Sequence, residues 1–205
     1  MSHLFEGLNI KNIKIDKWDV SQVKDMSCMF KNCNYLNLGK RNSLKNWDVS
    51  NVRNMSHMFE SCYKFNDDLS GWNVSNVIDM SFMFDSCFKF IGQGLELWDV
   101  SNVRNMEKLF IYSNINLKYL TKWNVSSVTN MSGMFFGCNE ITGIGLENWD
   151  VSQVKNMRVM FFNCYCFNAN LSKWDVSSVI DMRSMFENCI RFEGEGLEKW
   201  NVKSV

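Results

Sequence analysis

The sequence predicts an α/β repeat solenoid, a single domain running over residues 1–205 with a parallel sheet of short strands and a short helix in every unit. Two observations predict it. The eight tryptophans, Trp18, Trp47, Trp72, Trp98, Trp123, Trp149, Trp174 and Trp200, are separated by 29, 25, 26, 25, 26, 25 and 26 residues, which is the signature of a repeat array. Within each unit the spacing of apolar residues also changes from two apart to three and four apart. A chain of 205 residues grows in this way by adding units, not by enlarging one core.

Counting each Trp as offset 0, a unit opens on Trp, Asp or Asn, then Val, as in Trp47-Asp48-Val49. This is the alternation of a strand with one buried face. Val returns at offset 5, and from offset 8 the apolar residues follow a new rhythm. Met55, Met58, Phe59 and Cys62 stand at i, i+3, i+4 and i+7, the stripe of one helix face. The residue before that stripe is always Asp or Asn (Asp25, Asn54, Asp79, Asn105, Asn130, Asn156, Asp181), a side chain suited to cap a helix N-terminus. A connector closes each unit. Two connector types alternate, so Trp47, Trp98, Trp149 and Trp200 recur every 51 residues, and the longer type carries Gly92 with Gly94, Gly143 with Gly145, or Gly194 with Gly196. These are turn residues with unusual backbone angles and not a phosphate-binding fingerprint, which needs the strand before it and the helix after it. No single unit can bury its own Trp, Val, Met and Phe, so about eight units of 25 or 26 residues stack, with partial repeats at both ends.

Composition excludes several functions. Lys plus Arg and Asp plus Glu both number 22, for a formal net charge of zero, and no basic block attracts nucleic acid. No apolar run approaches the roughly 20 residues of a membrane helix, so no membrane insertion is expected. Met1–Ile10 lacks the basic and apolar regions of an export signal, which places a cytoplasmic or virion-associated location beside the cell surface. There are only two histidines and no nucleophile recurs beside a base, so no enzymatic activity and no cofactor are expected.

The cysteines at offset 15 form a column, Cys33, Cys62, Cys87, Cys138, Cys164 and Cys189, with Ser113 in the remaining unit. Helices packed about 8–10 Å apart hold such residues beyond the roughly 7 Å between Cα atoms that a disulfide spans, so free, buried thiols are expected, with Cys166 the more exposed one. The same spacing keeps His3, Cys28 and His57, which share offset 10, from holding one metal ion, and no metal site is expected. Polar residues at offsets 1 and 3 point away from the core and read either as a ladder bonded along the sheet or as a polar binding strip. The fourth unit departs from the repeat at Leu109, Ser113 and Asn116. The candidate binding surface is therefore Asp48, Ser50, Asn73, Ser75, Asp99, Ser101, Asn124 and Ser126, with Tyr112, Asn114 and Asn116 from the irregular loop.

The run W-D/N-V-S-x-V-x-x-M-x-x-M-F-x-x-C closely resembles the repeats of BspA-like leucine-rich-repeat surface proteins, a family also met as lipoprotein repeats of unknown function in mycoplasmas. The resemblance covers essentially the whole chain. It implies a right-handed leucine-rich-repeat-like solenoid, a binding or adhesive role at a cell surface, and no catalytic residues; related genes occur in large DNA viruses of amoebae. The function expected is a non-enzymatic protein-binding scaffold whose partner is a host protein or another copy. The alternative is a structural, self-assembling component such as a virion part. The first residues, Met1 to Phe5, match offsets 8 to 12 and the last stop at offset 5, which leads to the expectation of head-to-tail self-association.

Overall fold

The structure, a computed structural model, describes residues 1–10, 13–38 and 44–205. Its period is that of the sequence, but the expected sheet and helices do not form. Among the described residues the regular elements are four single 3-10 turns, Leu44–Asn46, Leu95–Leu97, Leu117–Tyr119 and Leu197–Lys199. The extended pairing is a series of isolated parallel bridges, from Asp25 with Asn54 to Asn156 with Asp181. No helix is long and apolar enough to cross a membrane.

The segment read as a helix is a run of tight turns. In the second unit the N–H of Met58 donates to Met55, Glu60 to His57 and Cys62 to Phe59, all three residues back, whereas an α-helix bonds four residues back. The intervening N–H groups point out of the unit. Met55, His57, Phe59 and Ser61 donate to the carbonyls of Asp79, Ser81, Met83 and Asp85 in the next unit at 2.8–3.0 Å. The same four-bond ladder recurs at each later boundary. To alternate in this way the chain must enter the left-handed region twice per unit, at offset 10 (His57 φ 58, Phe82 φ 58, Lys108 φ 53, Val159 φ 50) and at offset 14 (Ser61 φ 59, Ser86 φ 58, Tyr112 φ 52, Asn163 φ 60). An α-helix cannot survive either excursion. The apolar stripe misled because residues at offsets 8, 11, 12 and 15 face inward in this coil of turns just as they would on a helix. Met55, Met58, Phe59 and Cys62 are all fully buried.

The expected strand is absent for a related reason. Trp47, Asp48 and Val49 do alternate buried, exposed, buried, but Val52 closes a turn onto Val49 before a ladder can extend. Parallel contact between units is instead made at offsets 6 and 7, where Arg53 N–H donates to Lys24 and Ile78 N–H to Arg53, both at 2.9 Å. The residues read as helix caps, Asp25, Asn54 and Asp79, sit at these bridges. Their side chains close a turn by accepting the N–H two residues on, at 2.8 to 2.9 Å, a bond that short polar side chains make as readily in turns as at caps.

Units repeat at the spacing of stacked rings, not of packed helices. Phe30, Phe59, Phe84, Phe110, Phe135, Phe161 and Phe186 form a continuous column with centroids 5.5–5.9 Å apart. Beside it the tryptophans stack nearly parallel, Trp72 to Trp98 at 6.1 Å and Trp98 to Trp123 at 6.5 Å. From Trp47 onward each indole N–H has a partner: Trp47 donates to the Ile15 carbonyl, Trp72 to Leu44, Trp98 to Leu69 and Trp123 to Leu95, at 2.8–3.1 Å. That carbonyl, three residues before the preceding Trp, also accepts the backbone N–H of its own Trp. A second apolar column in the connectors, Phe65, Phe90, Ile115, Ile141 and Phe167, closes the core. The long connectors turn on glycine: Gly94 has φ 96, and a Cβ there would stand 2.4 Å from the Ser70 nitrogen.

Two predictions follow from this packing. Trp98→Phe keeps the ring but removes the bond to Leu69, and should cost about 1–2 kcal/mol; Trp98→Ala should cost about 3–5 kcal/mol, both read from urea denaturation. Val159 is a β-branched residue held at φ 50, so Val159→Asn should raise stability by about 1 kcal/mol in the same measurement, a gain that a helix at this position would not give.

Candidate functional site

The polar residues at offsets 1 and 3 are spent on their own turns. Asp48 accepts the Ser50 N–H at 3.0 Å and its hydroxyl at 2.6 Å. Asn73 accepts from Ser75, Asp99 from Ser101 and Asn124 from Ser126, at 3.0–3.2 Å. The expected ladder of Asn and Ser along the stack is not formed, because each pair closes locally. The bond between units comes one residue later: the Asn51 side chain donates to the Ser21 carbonyl, Asn76 to Ser50 and Asn102 to Ser75, each at 2.8 Å. The Ser50 hydroxyl and N–H hold the Asp48 carboxyl below the usual range, and Ser101 does the same to Asp99. These acids keep their charge to lower pH than a free carboxylate.

The irregular fourth unit is different. From Ile111 to Asn116 its residues alternate buried and exposed, with Ile111, Ser113 and Ile115 inside and Tyr112, Asn114 and Asn116 outside. Asn114 donates to the Phe88 carbonyl at 2.8 Å. Asn116 caps the 3-10 turn Leu117–Tyr119 by accepting the Lys118 N–H. Ser113 explains its own substitution. Its hydroxyl donates to Phe110 of its own unit at 2.8 Å, whereas each column cysteine reaches back one unit: Cys62 to the Phe30 carbonyl, Cys87 to Phe59 and Cys138 to Phe110, at 2.9–3.1 Å.

Two recesses flank this loop. Asn114 and Asn116 line one of about 420 Å³ with Thr121, Glu140, Thr142 and Ile144. Tyr112 lines another of about 530 Å³ with Lys108, Phe136 and Arg158. The structure thus divides the predicted surface. The loop residues Tyr112, Asn114 and Asn116 open onto recesses, while Asp48, Ser50, Asn73, Ser75, Asp99, Ser101, Asn124 and Ser126 line neither. Sequence reasoning missed Phe136 and Arg158. Their signal was available, since offsets 9, 10, 13 and 14 change residue type from unit to unit while the core positions do not.

The chain matches the family described as Mycoplasma protein of unknown function, DUF285, over residues 1–116 and again over residues 111–205. It belongs to this family. No curated protein and no solved structure matches it significantly.

Two chemical groups of this DUF285 chain bear on function. His57 bonds Glu60 through Nδ1 and stacks on Phe82 at 4.4 Å, while Glu60 also accepts Lys31 Nζ at 3.0 Å. His3 pairs with Glu6 in the same way. Units stand about one ring apart and not a helix apart, so the expected helix spacing is not what separates His3, Cys28 and His57. Among the described residues, however, no three His, Cys, Asp or Glu side chains are grouped to hold a metal ion.

All eight cysteines are free. Their units also stand closer than packed helices would; what directs each column thiol is the carbonyl it bonds. Burial pushes Cys33 up to about 11 and Cys138 up to about 12, and raises Cys62 and Cys87 well above the ordinary value. Only the thiolate reacts readily. Denatured, non-reduced protein should therefore titrate eight thiols with a disulfide reagent, and native protein at about pH 8 should react first at the half-buried Cys166 and Cys28. Rapid reaction of the whole column in the native state would show that these thiols are not held as described.

Proposed function

We propose that this protein is a non-enzymatic protein-binding scaffold with an adhesive role. The observation that carries the reading is a contrast between frame and surface. From offset 8 to offset 15 the units share the same turns, save the missing bond from Ile111 to Lys108 in the fourth, and the first six make the same four bonds to the next unit. At offset 10 the side chains are nonetheless His57, Phe82, Lys108, Gly133, Val159 and Ser184, all in one backbone conformation. A backbone that tolerates any side chain at a fixed outward position presents a sequence-programmable surface, which is how repeat proteins bind extended partners. The likeness of the repeat to BspA-like surface proteins supports the same role, and the scarcity of histidine with no nucleophile–base pair supports a non-enzymatic one.

Within that surface the reading centres on the loop of residues 111–119, where Tyr112 is 48% exposed and Asn114 and Asn116 line a recess. Its test exchanges residues 111–119 for the equivalent residues 162–170 of the sixth unit, a segment of equal length. With a partner captured from host extract by cross-linking and then purified, the exchange should weaken binding by at least about tenfold, as removal of an interface hot spot does. Unchanged affinity would remove the loop from the binding surface. Self-association in sedimentation with no heterologous partner would favour the structural, self-assembling role instead.

A further inference from the structure

In the fifth unit both left-handed outward positions are glycine, Gly133 at φ 60 and Gly137 at φ 69. The backbone does not demand this. The same positions hold Lys108 and Tyr112 in the fourth unit and Val159 and Asn163 in the sixth, at φ 50–60. What the glycine pair changes is packing: both glycines are buried, with the Lys108 stem lying over Gly133 and the Tyr112 ring over Gly137, and beside these two side chains a recess of about 530 Å³ runs across the third to sixth units, within the size range of small-ligand sites, about 300–1,000 Å³.

The recess has an aromatic wall. Tyr112 and Phe136 meet edge to face at 5.4 Å, and Phe136 is backed by Phe162 at 4.7 Å. Tyr112 owes its place to Gly137, since a Cβ there would stand 2.4 Å from its ring. The rim is polar and balanced in sign, with carboxylates from Asp85 and Glu107 and cations from Lys108 and Arg158. These charges do not neutralise one another; none of the four is in an ion pair among the described residues. Glu107 accepts from the Asn130 amide at 3.2 Å, Asp85 from the Ser86 hydroxyl at 2.8 Å, and Lys108 lies 5.0 Å over the Phe82 ring. Burial raises the Asp85 carboxyl, bringing its proton-donating form nearer to neutral pH.

A ligand of either net charge meets two groups of its own sign here, and a wholly apolar one strands four polar groups out of water. Hydroxyl groups both donate and accept, so a polyhydroxylated ligand satisfies carboxylates and cations together. A ligand that also has an apolar C–H face matches the aromatic wall. We propose that this recess binds a neutral saccharide, one ring lying against Tyr112 and Phe136, with its hydroxyls shared among Asp85, Glu107, Lys108 and Arg158. This site shares Tyr112 with the loop of the protein-binding reading but does not rest on that reading.

The test uses the full chain and saturation-transfer NMR with cellobiose, maltotriose, lactose, mannobiose and diacetylchitobiose, beside galacturonic acid and glucosamine as charged counterparts. At least one neutral sugar should receive saturation, and its affinity should fall by about tenfold or more in Gly133→Lys, whose side chain must push aside the Lys108 stem that lies over this position and so disturbs the rim, at backbone angles where the fourth unit itself carries lysine. Phe136→Ala should weaken it in the same way by removing the wall. No saturation of any neutral sugar, unchanged affinity in both variants, or tighter binding of a charged counterpart would each overturn the assignment. Gly133 lies outside the loop exchanged above, so the two readings fail separately.

Discussion

Every other feature of this molecule depends on where alternate backbone N–H groups point. At offsets 8, 10, 12 and 14 they leave their own unit and meet carbonyls of the next at 2.7–3.0 Å. A buried amide without a partner is costly, and a single unit of this conformation leaves four unpaired along each open side. Stacking supplies all four at once. The ladder in turn requires left-handed residues, and thirteen described non-glycine residues adopt a positive φ, at roughly 1–2 kcal/mol each. Bonds and burial repeated at every boundary offset that strain, and the strain persists because its neighbours on both sides fix the geometry.

Once the ladder sets the rise, the side chains have no freedom of spacing. A rise near one ring thickness admits flat aromatic residues in continuous columns, and Phe and Trp occupy them. Tryptophan adds what phenylalanine cannot, an N–H that reaches the preceding unit's carbonyl. The thiol of the cysteine column does the same, more weakly, for the Phe carbonyl. Ser113 shows the geometry by exception: in that unit the hydroxyl bonds the carbonyl of its own turn. The column is chemically quiet for the same reason that it is structural, since a thiol bonded to a carbonyl inside an apolar stack is held in its protonated form.

The sequence displayed the period, the buried positions and the irregular fourth unit, because these follow from residue type and spacing alone. It concealed the conformation. Met55, Met58, Phe59 and Cys62 fit a helix stripe, and a run of three-residue turns buries the same four positions. The distinguishing feature is the sign of φ at offset 10, and Phe82, Lys108 and Val159 carry no local preference for the left-handed region. Offset 14 did signal it. Asn32, Gly137, Asn163 and Asn188 stand there, residue types that tolerate αL, although Ser61, Ser86 and Tyr112 at the same offset blur the signal. The error then spread to distances: a helix spacing of 8–10 Å was applied to units about one ring apart.

That closer spacing changes what the surface can do. Outward side chains of successive units are near neighbours, so they form composite sites such as the wall of Tyr112 and Phe136, which come from adjacent units. A single substitution at an outward position therefore alters the surroundings of residues in the units on both sides without touching the core. Gly133 and Gly137 illustrate the limiting case, in which side chains missing from one unit let those of its neighbour, Lys108 and Tyr112, settle over its backbone. The invariant ladder permits this because it is built wholly from backbone atoms. Its bonds are indifferent to the side chain at offset 10, and for that reason the repeat can vary at the surface while keeping one fold.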